Sequence, residues 1–212
     1  AYAGLAPGAY AVRRNWPADR LVKLPSGLAD DVAASVMLKG LTAWYLLRRS
    51  YRVQPGDTLL LYAAAGGTGT LLSQWATALG ARVTLVAPPT LLPPVLADPG
   101  PHEWPVAVAH DLDPLLPEID VLYLLRVQRE RMDDALLPSL LEYSMHYGLT
   151  PGRAARLAPH ALVMHPGPMN RGVEMVVDPA ELPGSRILNQ VANGVAVRMA
   201  VLFSLLGSGS DL

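Results

Sequence analysis

Short apolar runs that alternate with helical patterns constrain this chain more than any other feature. The runs are Thr58 to Ala63, Val83 to Val86, Pro105 to Ala109, Val121 to Leu125 and Ala161 to Met164. Helical patterning is expected from Asp30 or Asp31 to about Ser50, over Thr68 to Leu79 with Gly80 closing it, and over Leu136 to Tyr143 and Pro151 to Leu157. Arg186 to Leu206 reads as a long terminal helix, and Leu91 to Leu96 as the one short helix in the proline-rich passage after Pro88. Strands alternating with helices predict an α/β fold, a Rossmann-like parallel sheet with helices on both faces. Residues 1–27, punctuated by Gly4, Pro7, Gly8, Pro17, Pro25 and Gly27, are expected to form a short extended N-terminal arm. The single domain is expected over 28–207, with a linker-like tail over 208–212.

Composition removes several function classes. The 212 residues are 51% hydrophobic and only 17% charged, which is enough to bury a substantial core. A formal charge of −1 gives no general attraction to nucleic acid or anionic membrane, and no apolar run approaches the roughly 18 to 20 residues that span a bilayer. Neither partner is expected. There are no cysteines, so disulfides and thiolate chemistry are excluded. His102, His110, His146, His160 and His165 lack metal-ligand spacing, so no metal is expected. Arg48, Arg49 and Arg52 read as a solvated helix face. The chain starts at Ala1 without a signal pattern and ends in a Gly-Ser tail, which fits a cytoplasmic protein.

Ala64 to Gly69 sits between a strand and a helix and matches a GxGxxG spacing with Ala64 in the first position. Such a turn can accept a pyrophosphate: Gly66 permits close backbone approach, Gly69 permits helix–strand packing, and the helix start presents free N–H groups. Gly66, Gly67, Thr68 and Gly69 are therefore candidate cofactor-binding residues. A tight turn that only packs a helix on a sheet explains the same residues equally well.

Leu38 to Ala43, Tyr45 to Arg49, Ala63 to Gly69 and Gln74 to Ala81 resemble the zinc-independent, NADPH-dependent quinone oxidoreductases. The resemblance implies NADPH at the glycine turn, although Val86 to Pro89 supply no group for the ribose hydroxyls or a 2′-phosphate. From Thr84 the chain resembles instead the catalytic chain of aspartate carbamoyltransferase. The motifs are Thr84 to Pro93, Asp120 to Met132, Tyr147 to Pro151, Leu162 to Gly172 and Asn193 to Ala200. That resemblance implies that Arg126 and Gln128 grip substrate carboxylates, and that Pro166 and Gly167, in the turn from His165 to Pro168, offer carbonyls to the amine and carbamoyl groups. A guanidinium suits this task because it holds a carboxylate through two parallel charge-assisted hydrogen bonds.

Taken together, the two resemblances predict a seam near Ala81 to Thr84. The expectation is an engineered or recombined chimera, a folded scaffold without a complete parental active site, no catalytic residues and no required cofactor. Two other functions remain open: a dinucleotide-binding, quinone-reductase-like protein that takes NADPH weakly, and a carbamoyltransferase-like fragment that binds dicarboxylates. Apolar surfaces left by missing domains would then favour a homo-oligomer.

Overall fold

The computed structural model describes residues 2–3, 12–18, 21–62, 66–92, 106–127 and 139–193. Two short strands near the N-terminus, β1 (Tyr2–Ala3) and β2 (Leu21–Val22), pair antiparallel. The rest is built on five parallel strands: β3 (Thr58–Leu61), β4 (Arg82–Val86), β5 (Ala107–Ala109), β6 (Val121–Tyr123) and β7 (Leu162–Met164). Their order across the sheet is β5-β4-β3-β6-β7, so the expected α/β architecture is observed.

Side-chain alternation along these strands divides the interior into two layers. Leu59, Leu61, Val83, Leu85, Val121, Tyr123 and Met164 face one core, shared with Ala43, Leu46, Leu47, Leu72 and Ala76. Leu60, Tyr62, Val86, Leu122, Leu124 and Val163 face the other, shared with Tyr143, Tyr147, Leu149 and Met175. A strand buried on both faces must be apolar throughout, which is why Thr58 to Leu61 reads as a continuous run rather than an alternation.

Helices α1 (Asp30–Tyr45) and α2 (Gly67–Ala78) lie together on the first face. The first continues through a π-helical turn at Leu46–Ser50, close to its expected end. Gly80 closes α2 with φ +87°, a conformation that costs glycine nothing. Methylenes of Lys39 on α1 lie over Gly67, where an added Cβ would come within 2.7 Å of them. On its outer side α1 exposes Leu38, Leu41 and Trp44.

On the second face lie α3 (Leu140–Tyr147) and the single turn α4 (Pro151–Ala154). Of the expected helix over Leu136 to Tyr143, residues 136–138 lie outside the described residues, and the observed helix runs Leu140–Tyr147. Ser139 caps α3 by accepting the Glu142 N–H at 3.0 Å, a start signal stronger than the apolar residues before it. Thr150 caps α4 in the same way, through the Arg153 N–H. The expected helix at Leu91 to Leu96 is represented by a 3₁₀ turn at Pro89–Leu91, and 93–96 lie outside the described residues. Of the terminal helix, residues 187–193 (α5) are described. Gln190 on α5 donates to the Tyr123 hydroxyl at 2.9 Å, and Tyr45 on α1 donates to the Gln190 carbonyl at 3.3 Å. Among the described residues no helix is long and apolar enough to cross a membrane.

Asp120 pins the start of the sheet. Its carboxylate accepts the Thr58 N–H at 2.6 Å and meets His160 Nε2 at 2.7 Å, while its carbonyl accepts the Leu162 N–H. Three strands are thereby held in register at one edge, leaving the opposite edge to carry the loops. Leu122, fully buried in β6, should cost about 2–5 kcal/mol when truncated to alanine, because little around it can collapse into the space. Urea unfolding followed by tryptophan fluorescence measures this loss.

Candidate functional site

The chain builds the sheet outward from β3 through β4 to β5, then returns to the other side of β3 for β6 and β7. The connections therefore part between β3 and β6, and a crevice opens beyond the carboxyl ends of those strands. Around it lie Tyr62 after β3, the start of α2, residues 124–127 after β6 and His165 to Pro168 after β7. Main-chain bonds from Tyr62 to the Tyr123 carbonyl (3.1 Å) and from Leu124 to the Met164 carbonyl (3.0 Å) carry the pairing up to the rim.

Arg126 stands two residues beyond Leu124 and is half-buried. Pro166 is exposed, while Gly167 has φ +62° and is joined to Pro168 by a cis peptide bond. The left-handed φ favours glycine at this position. Gly66 caps α2 from outside the helix, with no side chain satisfying the first N–H groups, and Gly67, Thr68 and Gly69 form its first turn. Arg126, Pro166, Gly167 and the glycine turn thus come from neighbouring strand ends. Gln128 lies outside the described residues.

Beneath the rim is a set of buried polar groups. Glu174 and His165 are both fully buried. The Glu174 carboxylate accepts the Asn170 N–H at 2.5 Å and the Val127 N–H at 3.5 Å, and faces His165 Nε2 at 3.4 Å. The Asn170 side chain donates to the Val127 carbonyl at 2.9 Å. Gly167 donates its N–H to His165 Nδ1 at 2.9 Å, so a neutral ring carries its proton on Nε2, towards Glu174. Although burial opposes ionisation, the neighbouring His165 ring and the Asn170 N–H hold the Glu174 carboxyl below the usual carboxylate range.

A second network runs along the same edge. The Tyr62 hydroxyl donates to the Tyr147 carbonyl at 2.9 Å, and the Tyr147 hydroxyl donates to the His110 carbonyl at 3.1 Å. His110 Nδ1 in turn meets the Ala87 carbonyl at 3.0 Å. The ends of β3, β4, β5 and α3 are linked by it. Burial pushes the Tyr62 phenol well above its ordinary value, so it stays a neutral donor. Nearby, Arg153 clasps Asp113 through two hydrogen bonds of 3.0 and 3.1 Å and donates to the Gly148 carbonyl at 2.8 Å.

Sequence reasoning missed Glu174, Asn170 as a link, the tyrosine chain and the Arg153–Asp113 pair. Glu174 left one signal: a lone acid in the apolar stretch Val173 to Val177 must find buried donors or stay out of the core. A shallow cleft of about 510 Å³ lies at the opposite edge, among Ala81, Val83, Ala107 and Leu115. Its polar lining is Thr58, Arg82, Thr84 and Glu118, and Arg82 donates to the Thr58 hydroxyl at 2.7 Å.

Comparison with known proteins gives this edge a context. The family model "Aspartate/ornithine carbamoyltransferase, Asp/Orn binding domain" matches residues 66–205. An aspartate carbamoyltransferase catalytic subunit from Acidothermus cellulolyticus is 58% identical over 131 residues, covering 62% of this chain and 39% of that protein. The same subunit from Thermobifida fusca is 57% identical over 131 residues, covering 62% and 40%. The chain thus spans about two fifths of the length of these curated relatives. A crystal structure of aspartate transcarbamoylase from Trypanosoma cruzi in complex with carbamoyl phosphate superposes with a TM-score of 0.60 at 26% identity, over 80% of this chain and 54% of that one. Its complex with N-(phosphonacetyl)-L-aspartic acid gives the same TM-score over 82% and 56%.

These findings overturn the chimera. The family match begins at Gly66, before the expected seam near Ala81 to Thr84, and takes in Gly66 to Gly69, α2, β4 and the chain beyond as far as residue 205. A shared α/β topology explains the misreading, because a strand, a glycine turn and a helix look alike in many parallel sheets. The quinone oxidoreductase segment, its NADPH site at Gly66 to Gly69 and the engineered scaffold without an active site are withdrawn with it.

Asp113, like Glu174, has its carboxyl held below the ordinary range, mainly by the hydrogen bond from Arg153. Both folded-state values lie under the unfolded ones, so their stabilisation is present above the ordinary carboxylate range and disappears as pH falls through the depressed values. The urea midpoint should therefore drop on acidification below about pH 5, and Asp113→Asn should flatten that slope. Urea titrations repeated from neutral to acidic pH measure both effects.

Proposed function

The chain belongs to the family of Asp/Orn-binding domains of aspartate/ornithine carbamoyltransferases, and from that premise we propose that it is the amino-acid-binding part of a carbamoyltransferase catalytic subunit whose ligand is aspartate. The observation that carries this reading is the placement of Arg126 at the crevice beyond β6, beside the turn at His165 to Pro168 and the start of α2.

In the proposed complex the Arg126 guanidinium holds a ligand carboxylate, and Gln128 adds a second polar contact. The carbonyls of Pro166 and Gly167 accept hydrogen bonds from the ligand amine. Held in this way, the amine turns its lone pair towards the crevice, where a carbamoyl donor would lie. The transfer proposed is attack of the aspartate amine on the carbonyl carbon of carbamoyl phosphate. A C–N bond forms, the C–O bond to phosphate breaks, phosphate leaves with the electron pair, and the amine proton goes to phosphate or water. No redox step occurs, so no cofactor is required. The phosphate would need cationic and hydrogen-bonding groups that this reading assigns to a part of the subunit beyond these 212 residues. The structures of the Trypanosoma cruzi protein with carbamoyl phosphate and with carbamoyl aspartate plus phosphate support this choice of reaction.

Succinate, which has both carboxylates of aspartate but no amine, is the ligand of choice for a test. Calorimetric titration of the purified chain should show saturable binding, and Arg126→Ala should weaken it by at least about tenfold, as expected for loss of a charge-assisted pair. Absence of saturable binding, or equal affinity in the variant, would sink the reading.

A further inference from the structure

We propose that Glu174, with Asn170, is a positioning residue: it sets the separation and orientation of the Arg126 loop relative to the His165 to Pro168 turn. The role in ligand binding rests on the dicarboxylate reading above, but the geometric role does not. Two donors converge on one carboxylate that is wholly removed from water, the Val127 N–H on one oxygen and the Asn170 N–H on the other. His165 Nε2 lies 3.4 Å from the same carboxylate without forming a hydrogen bond. Asn170 belongs to the segment after β7, and Val127 immediately follows Arg126. The Asn170 side chain closes the loop by donating to the Val127 carbonyl, so both main-chain groups of Val127 are fixed to the 165–174 segment.

Chemistry dictates an acid here. An ionised carboxylate only accepts, and its two oxygens each serve one main-chain donor, Asn170 and Val127. A glutamine offers one accepting oxygen and turns an NH₂ group towards the remaining donor, so one contact is replaced by a donor–donor clash. A buried acid is also costly to retain for stability alone, because an apolar side chain of similar volume would fill the same space without desolvation. What a carboxylate adds over such a side chain is direction. It fixes where the backbone of Val127 lies, and hence the origin from which the Arg126 side chain reaches.

The test uses Glu174→Gln in the full 212-residue chain. Its thermal melting checks that the fold survives, and Asn170→Ala is a milder second variant that removes only the link to the Val127 carbonyl. Glu174→Gln is expected to weaken succinate binding about tenfold. In the Arg126→Ala background the same substitution should have no further effect, since Glu174 acts through that loop. Unchanged affinity in Glu174→Gln, or a full additional loss beside Arg126→Ala, would overturn the positioning role.

A second measurement needs no ligand. In ¹⁵N-edited NMR spectra of the unaltered chain, the Val127 and Asn170 amides should give a mutual Overhauser contact. That contact should be lost in Glu174→Gln while contacts between β6 and β7 persist. If the unaltered chain binds no succinate, the dicarboxylate reading falls by itself, and the NMR comparison decides the geometric claim. Retention of the Val127–Asn170 contact in Glu174→Gln would overturn it whatever succinate does.

Discussion

Burial of β3 on both faces is the constraint from which the rest of the molecule follows. With Leu59 and Leu61 in one layer and Leu60 and Tyr62 in the other, this strand cannot sit at an edge. Both its neighbours, β4 and β6, must be parallel strands that arrive by crossover, and each crossover must cover a face. Once β3 is central, the chain has to reverse its direction of growth beside it. The crevice at that reversal is thus a by-product of satisfying the most apolar strand, before any functional side chain is considered.

Polar groups at the crevice are arranged by a different principle. Apolar packing fixes the strands, but it is non-directional and cannot aim a loop. The two hydrogen-bond sets beyond the carboxyl ends do that aiming. One runs from Tyr62 through Tyr147 and His110 to Ala87, and joins the strand ends to α3. The other gathers Val127, His165 and Asn170 around Glu174. The Glu174 set is buried, where each hydrogen bond made counts for more than it would in water, while the tyrosine chain runs from buried Tyr62 out to exposed His110. The rim is therefore stiff where main chain meets these groups, and Arg126, half-buried, directly precedes the anchored Val127.

Much of the fold was legible because the signals were local. Apolar runs located all five strands of the sheet, and the GxGxxG-like turn and Gly80 marked both ends of α2. The start of α3 is set by a cap, the Ser139 hydroxyl accepting the Glu142 N–H, a polar signal that apolar periodicity does not carry. Arg126 and the turn at His165 were visible through motif resemblance. Their support was not, because Glu174 meets Val127 across 47 positions and Arg153 meets Asp113 across 40. Periodicity says nothing about such pairs. The glycine turn misled for the opposite reason: its residues satisfy a geometric need common to many parallel sheets, so resemblance there carries little information about ancestry.

The family match starts at Gly66, yet β3 ends at Leu61 and α1 at Tyr45. The boundary of recognition and the boundary of cooperative folding therefore do not coincide. A polypeptide cut to the recognised segment would lose the strand to which β4 and β6 both bond, dividing the sheet into two unconnected pairs. It would also uncover the layer now closed by Ala43, Leu46 and Leu47. Residues before the match are thus the keystone of the domain, and they contribute it through main-chain pairing and bulk, with the hydroxyls of Tyr45 and Tyr62 tying them to the matched segment.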